Sequence, residues 1–371
     1  MKSSFYDYKQ RFDPGALKPH LASVTPDKVE RALSKSDPGI LDFLTLLSDS
    51  ADAFLEPMAQ KARILTKRQF GNSVFIFTPL YLSDYCVNTC PYCSFAGTLN
   101  IERTHLSLAE AEKAAARISQ SGIRHILILT GEAPERATLG YLIQSTSLLK
   151  NHFSSIGLET YPQTEGAYSR LLDAGADSLT IYQEVYAESA YSRYHESGPK
   201  ADYRFRLEAP DRALSAGMRA ATVGALLGLH DIIEETFYTA LHLQYLQETY
   251  PWAEINVSLP RIRPVVSGFT PPYPVSDKLF VKILLALRIF KSTVGITIST
   301  RESGEFRDAL LPLGVTKMSA GVSTAVGGHS REAGVGQFEI ADTRSVEEVC
   351  ADLLRLGVQP VMQDWNHRMM G

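Results

Sequence analysis

The sequence predicts an α/β protein, a (β/α)8 barrel of the TIM type with N-terminal and C-terminal helical extensions, and three observations carry that reading. Short apolar, β-branched runs alternate with helical stretches eight times along the chain, the order of a parallel sheet closed by crossover helices. The 371 residues are 44% hydrophobic and 21% charged, enough for one large core rather than a tandem of small ones. The first strand-like run delivers a polar, cysteine-bearing loop at its C-terminal end, where a barrel keeps its chemistry. The expected organisation is residues 1–70 as an N-terminal helical extension, 71–325 as the barrel and 326–371 as a C-terminal extension packed on it.

Ahead of the barrel, Thr25 and Pro26 read as the cap and first-turn proline of a helix. Residues 38–49 and 51–67 carry apolar side chains at three- and four-residue spacing, a helical cover for the barrel floor. SVFIFTPLYLS at 73–83 is the first strand. Ser107 and Glu110 form a capping box for a helix that stops at Gly122, and HILILT at 125–130 is a buried parallel strand that runs into Thr130-Gly131-Glu132. The unit then repeats as strand 156–160 with helix 164–174, strand 178–183 with helices across 187–217, and strand 221–227 with helix 231–249. Strands 255–259, 295–300 and 315–320 follow, separated by a Ser276-capped helix and a short helix near 302–311. Ser345 with Glu348 opens the last helix, which ends at Gly357. The proline- and glycine-rich stretch Val265 to Pro274 is a loop placed to act as a lid over the barrel mouth.

A net charge of −4 gives no basic footprint for nucleic acid. No apolar run reaches the roughly 18 residues of a membrane span, and the N-terminal MKSSFYDYKQRFDP has no signal-peptide core. The expectation is a cytoplasmic protein that engages neither membrane nor nucleic acid, in a compartment that keeps thiols reduced.

The chemistry gathers in YLSDYCVNTCPYCSFAG, residues 81–97, which holds Cys86, Cys90 and Cys93 at spacings of three and two intervening residues. One tight loop can aim three thiolates at an iron–sulfur cluster, which wants sulfur at its corners. The fourth cysteine, Cys350, lies in an expected helix far downstream, so one iron is left open to a small molecule. A structural zinc site needs four closed ligands, and the nearest histidine, His105, has no second partner. A disulfide fits poorly with so few cysteines in a chain without a secretory segment.

Cys86-x-x-x-Cys90-x-x-Cys93 with Tyr92 before the last cysteine resembles the signature of the radical S-adenosylmethionine (radical SAM) family. That resemblance implies a [4Fe–4S] cluster whose open iron is chelated by the methionine amine and carboxylate of SAM, with Tyr92 against the adenine. It also implies that Gly131 and Glu132, in the place of the family's Gly-Gly-Glu turn, hold the methionine amine, although Thr130 departs from the first glycine. By local pattern Arg206 in RLEAPDR matches the arginine that pairs with the methionine carboxylate. Glu159 at the end of strand three, and Gln183 and Glu184 at the end of strand four, stand where ribose hydroxyls can be bound; an acid makes that pairing in dinucleotide sites. The glycine-rich TVGALLGL at 222–229 offers close backbone approach to a flat ligand. After the later strands come Pro260-Arg261-Ile262-Arg263-Pro264, Ser299-Thr300-Arg301-Glu302, and Ser319 with Ser323, which imply a second ligand bearing a carboxylate.

YLSDYC, the TGE turn, IYQEVY, RLEAPDR, VSLPRIRP and the STRES run together resemble the 2-iminoacetate synthases, the tyrosine lyases of thiamine thiazole biosynthesis, over about 330 residues. The resemblance implies L-tyrosine as substrate, a hydrogen taken from its amino group by the adenosyl radical, and cleavage of the Cα–Cβ bond to p-cresol and 2-iminoacetate. It also implies thiazole synthase as the partner that receives the product and a flavodoxin or ferredoxin as reductant. Arg301, with Ser299 or Ser319, suits the substrate carboxylate, from a strand expected across the mouth from the cysteine loop. Two sister activities share most of these motifs. The hydrogenase-maturation tyrosine lyase needs a C-terminal cysteine trio that is absent here, whereas a tryptophan lyase differs in an aromatic pocket that sequence does not display. An iron–sulfur electron carrier would supply all four ligands itself.

Overall fold

The structure is a computed structural model that describes residues 4–330 and 334–363. Eight parallel strands close into the expected barrel: β1 (Ser73–Ser83), β2 (His125–Thr130), β3 (Ser155–Glu159), β4 (Ser178–Glu184), β5 (Ala220–Ala225), β6 (Glu254–Ser258), β7 (Gly295–Ile298) and β8 (Lys317–Ser319). β1 closes the ring by pairing with β8 through Phe75–Phe77 and with β2 from Thr78 onward. The first two strands coincide with the expected runs, whereas β7 and β8 stop short of residues 300 and 320. There the chain turns off the sheet, and Ser299 and Arg301 line the mouth. Helix starts follow the cap chemistry: Ser107, Thr164, Ser276 and Ser345 each accept from a backbone N–H of the first turn, with reciprocal Glu110 and Glu348 boxes.

A ninth strand was not expected. β9 (Gln359–Val361) pairs in parallel with Ser73–Phe75, below the point where β1 meets β2, and Arg124 N–H donates to the Met362 carbonyl at 2.9 Å. It therefore fills the wedge between β1 and β2 at the barrel floor. The N-terminal helices Ile40–Leu46 and Leu55–Phe70 pack chiefly on the outer helix Asp277–Phe290, with Phe43 against Phe290 at 5.1 Å. They form an extra layer beside the barrel, where the sequence reading put a floor. The helix Phe5–Lys9, also unexpected, docks on Ile232–Thr249 by stacking the buried Phe5 on His242 at 3.8 Å.

Two loops dock beside the mouth. Residues 265–274 dock on the cysteine loop, with Val266 N–H donating to Ser94 Oγ at 3.1 Å and Ser267 Oγ to the Pro91 carbonyl at 2.6 Å. The segment after β8 lies at the other side of the mouth, where Gln337 N–H donates to Thr324 O, Ser94 N–H to Gln337 O, and Ala341 N–H to Thr300 O. Its far end is pinned by the buried ion pair of Arg307 with Asp342. Among the described residues no helix is long and apolar enough to cross a membrane.

Candidate active site

The cysteine loop leaves β1 through a bulge: pairing with β2 passes from Tyr81 to Ser83 and skips Leu82, which bends the strand end towards the axis. Cys86, Cys90 and Cys93 then line one cavity at the barrel mouth, and none is in a disulfide. Arg103 ties the loop by donating to the carbonyls of Asp84, Phe95 and Ala96 at 2.7, 2.8 and 2.6 Å. The turn after β2 comes so close that a Cβ on Gly131 would lie 2.4 Å from the Tyr85 carbonyl oxygen, so only glycine fits there.

Burial raises the Cys90 thiol and, with Cys90 beside it, pushes Cys93 up to about 12. Bare, these thiols keep their protons, and iron is what turns them into thiolates. Among the described residues no group of three His, Cys, Asp or Glu side chains is arranged to hold a single metal ion. Three thiols on a cubane each take a different iron, so they need not converge. The donor set therefore fits a cluster and not mononuclear zinc. His105 sits outside the cavity in a bridge with Ser83, and Cys350 contacts Met362 Sδ at 3.7 Å, also outside the cavity lining.

Beside the cysteines is a buried network of two acids and two bases. Glu132 accepts from Arg206 Nη1 at 2.6 Å and from Asn88 Nδ2 at 2.7 Å. Arg206 Nε donates to the Tyr182 carbonyl at 2.8 Å, and its Nη2 lies 3.7 Å from Glu184. Lys200 Nζ pairs with Glu184 at 2.7 Å, and its backbone N–H donates to Asn88 Oδ1 at 3.0 Å. Burial opposes the charge on Arg206, yet Glu132, Tyr191 and Glu184 outweigh it and hold the guanidinium above its usual pKa. Against burial and Arg206, Glu184 does the same for Lys200.

Glu184 reaches this network by backbone distortion. β4 carries a bulge that skips Gln183 against β5, and Glu184 has φ of 68°, the positive-φ region that a side chain adopts at a cost of about 1–3 kcal/mol. The bulge aims Glu184 inward. Gln183, expected beside it, is the skipped residue; it is absent from the cavity lining, and its buried Nε2 has no partner among the described residues. In the glycine-rich 222–229 stretch a Cβ on Gly224 would meet the Ser258 carbonyl oxygen at 1.8 Å, so strand packing requires that glycine, while Leu226 of the same stretch lines the cavity.

Tyr92 is buried in the cavity wall, edge-on to Tyr194 and Phe269, with its hydroxyl 2.5 Å from His195 Nε2. His195 Nδ1 lies 2.8 Å from the Tyr191 carbonyl, an acceptor, so the proton sits on Nδ1 and Nε2 accepts from Tyr92. Burial, reinforced by Lys200 and Arg206, takes His195 down to about 2, so it stays neutral.

The other half of the cavity is lined by Tyr81, Tyr182, Ser299, Arg301 and Ser319, with Glu159 between it and the Glu184 network. Arg301 stacks over Phe338 at 3.5 Å and has no ion pair among the described residues; its Nη1 has a long, 3.4 Å contact to the Arg261 carbonyl. Burial lowers its pKa despite Tyr81, Tyr182 and Glu184. Among the described residues the buried Ser319 hydroxyl has no partner, and neither has that of Thr130 on the cluster side. Arg261 and Arg263, the other expected cations, are both spent on buried Glu302. Arg301 leaves β7, next but one to β1 in the ring, and does not stand across the mouth from the cysteine loop. Glu159 is enclosed by the barrel wall but open to the cavity, and burial with Glu184 nearby pushes its pKa up to about 8, against the pull of Arg301. Ser323 is outside the lining. Asn88, Lys200, His195 and Gln337 were missed by sequence reasoning. Asn88 lay inside the quoted cysteine loop, whereas the other three carry no local signal.

The sequence profile of the radical SAM superfamily matches residues 80–243, and that of the biotin and thiamin synthesis associated domain residues 258–359. The chain is 36% identical to the 2-iminoacetate synthase of Escherichia coli (strain K12) over 98% of its own length and 97% of that protein. It is 34% identical to the 2-iminoacetate synthase of Salmonella typhimurium (strain LT2) over the same shares. Among solved structures, HydG, a maturase of the [FeFe]-hydrogenase, superposes with a TM-score of 0.90 at 28% identity, covering 96% of this chain and 82% of that one. The tryptophan alternative gains no support from these relatives. The chain belongs to the 2-iminoacetate synthase family of the radical SAM superfamily.

Proposed function

We propose that the cavity divides its labour: Cys86, Cys90 and Cys93 hold the [4Fe–4S] cluster, Tyr92, Gly131, Glu132, Glu159, Glu184 and Arg206 hold SAM, and Arg301 with Ser299 and Ser319 holds L-tyrosine. The enzyme is a carbon–carbon lyase that converts L-tyrosine to 2-iminoacetate and p-cresol as SAM becomes methionine and 5′-deoxyadenosine. The observation that carries the division is the contrast between two buried arginines of the cavity. Arg206 is bound to Glu132 at 2.6 Å, whereas Arg301 has no carboxylate partner among the described residues.

When bound, the cluster and SAM supply the 5′-deoxyadenosyl radical that starts the reaction. The protein's part is to bind, aim and keep dry. The fork of Arg301 donates two parallel hydrogen bonds to a carboxylate, and the Ser319 hydroxyl, unpartnered among the described residues, adds a third donor. Anchoring one end of a zwitterion fixes where its amine lies, which converts a collision into an intramolecular geometry. Glu132 and Glu184, already held by Arg206 and Lys200, present acceptor oxygens to ammonium and hydroxyl donors without moving. Phe338 and Gln337 line the mouth, and the 265–274 loop braces the cysteine loop beside it, which limits the water that would quench reactive species.

Thiazole synthase as recipient of the unstable imine, and a flavodoxin or ferredoxin as donor, belong to the same reading, as does a cytoplasmic location that keeps the three thiols reduced. The test is anaerobic reconstitution followed by separate tyrosine and tryptophan assays. Tyrosine should yield p-cresol and tryptophan no indolic product; the reverse pattern would overturn the substrate assignment.

A further inference from the structure

Gln337 lies where two halves of the cavity meet. Its carboxamide Oε1 accepts from the Tyr81 hydroxyl at 2.8 Å, and its Nε2 faces Cys93 Sγ at 3.8 Å, within reach of a hydrogen bond to sulfur. The backbone fixes the side chain: Ser94 N–H donates to the Gln337 carbonyl at 3.2 Å and Gln337 N–H to the Thr324 carbonyl at 3.1 Å. The amide orientation follows from chemistry. A ligating sulfur is an acceptor only, so the NH2 group must face Cys93 and the oxygen must face the phenolic O–H of Tyr81. The result is a directed chain from Tyr81 Oη–H to Gln337 Oε1 and from Gln337 Nε2–H to Cys93 Sγ, in which each bond polarises the next. Phe95 N–H supplies a second donor to the same sulfur at 3.4 Å.

We propose that Gln337 is a positioning residue that sets the reduction potential of the cluster by donating to Cys93 Sγ, with Tyr81 reinforcing that bond from the substrate side. The inference rests on the reading of Cys93 as a cluster ligand. Hydrogen bonds to cluster sulfur stabilise the more negative, reduced state and raise the potential. Gln337 is carried by a segment remote in sequence from the cysteines, so the C-terminal part of the chain tunes a centre built by the first strand. Tyr81 lines the half of the cavity assigned to tyrosine, which places substrate binding one hydrogen bond away from this control.

The experiment is redox titration of the reconstituted, SAM-free holoenzyme followed by electron paramagnetic resonance, in the wild type and in Gln337→Glu, Gln337→Leu and Tyr81→Phe. Gln337→Glu keeps the shape and the acceptor for Tyr81 but loses the donor to sulfur. Both Gln337 variants are expected to make reduction about tenfold less favourable, which for one electron is about 59 mV lower. Tyr81→Phe should move the potential the same way by less. Full iron and sulfide content with an unmoved potential in the Gln337 variants overturns the proposal and leaves Gln337 a tether. If those variants do not retain the cluster, Tyr81→Phe decides alone, and an unmoved potential there overturns it equally. Failure of the underlying ligand assignment reads differently, as a cluster that survives Cys93→Ala.

Discussion

Lys200 is the residue whose role is least visible in sequence, since SGPKAD at 197–202 falls within the stretch read only as helices across 187–217. In the fold it is a buried cation paired with Glu184 at 2.7 Å, and it hangs on Asn88 of the cysteine loop. Lys200→Met should therefore leave iron content intact and weaken SAM binding. Losing a charge-assisted bond of about 1.5–3 kcal/mol corresponds to about one to two orders of magnitude in affinity. Equilibrium binding of SAM to the loaded variant checks this, and unchanged affinity would make Lys200 structural. Glu159 carries a pH signature. Its folded pKa of about 8 lies above the ordinary carboxyl value of 4.5, so the folded protein keeps a proton that the unfolded chain has lost. Its contribution is complete below the lower value and declines as pH rises towards the upper one. Glu159→Gln stays neutral, so its thermal stability relative to the ligand-free wild type should be greater at about pH 8 than at about pH 5. An equal difference at both pH values would contradict the buried-carboxyl account. Strand-end position pointed to Glu132 and Glu184, and local pattern to Arg206, which lies in the helix Tyr203–Leu207; the fold brings all three into the cavity lining. Gln183 was misplaced because a bulge, which leaves no mark on the apolar alternation, flips which neighbour faces inward.

At the scale of elements, capping boxes and strand runs were legible because their physics is local. Ser107–Glu110 and Ser345–Glu348 are reciprocal caps in the structure as in the sequence. β9 was not legible: it is three residues long and exists only because β1 and β2 diverge at the floor. The segment after β8 was likewise read as a packing extension, although it places Gln337 and Phe338 in the site. Its anchor is testable. Asp342 accepts from Arg307 and from Arg344 Nε at 3.0 Å, and Arg307 is fully buried. Asp342→Asn would strand that guanidinium, a change that typically costs about 3–5 kcal/mol. Faster amide exchange across residues 321–330 and 334–342 is expected, with exchange in β1 to β5 unchanged. Uniform acceleration would show that the pair stabilises the barrel as a whole, and no change that the segment is held elsewhere.

For the whole molecule, the barrel was readable from eight strand–helix alternations because each unit must bury its own apolar face. Which of its arginines stays free for a substrate carboxylate was not, since that depends on which charges neutralise one another. Three arginines were candidates for the substrate carboxylate, and only the fold shows that Arg261 and Arg263 are committed to Glu302. Arg301 therefore carries the central claim. Arg301→Lys keeps the charge but loses the planar fork. The decisive measurement is the ratio of 5′-deoxyadenosine to p-cresol formed by this variant under dithionite, with iron content and SAM affinity measured alongside. The account predicts wild-type SAM binding and continued SAM cleavage while p-cresol formation falls, so the ratio rises by about one to two orders of magnitude, the equivalent of roughly 1.5–3 kcal/mol of lost positioning. Loss of SAM binding with tyrosine binding intact would instead place Arg301 in the cofactor half and contradict the division.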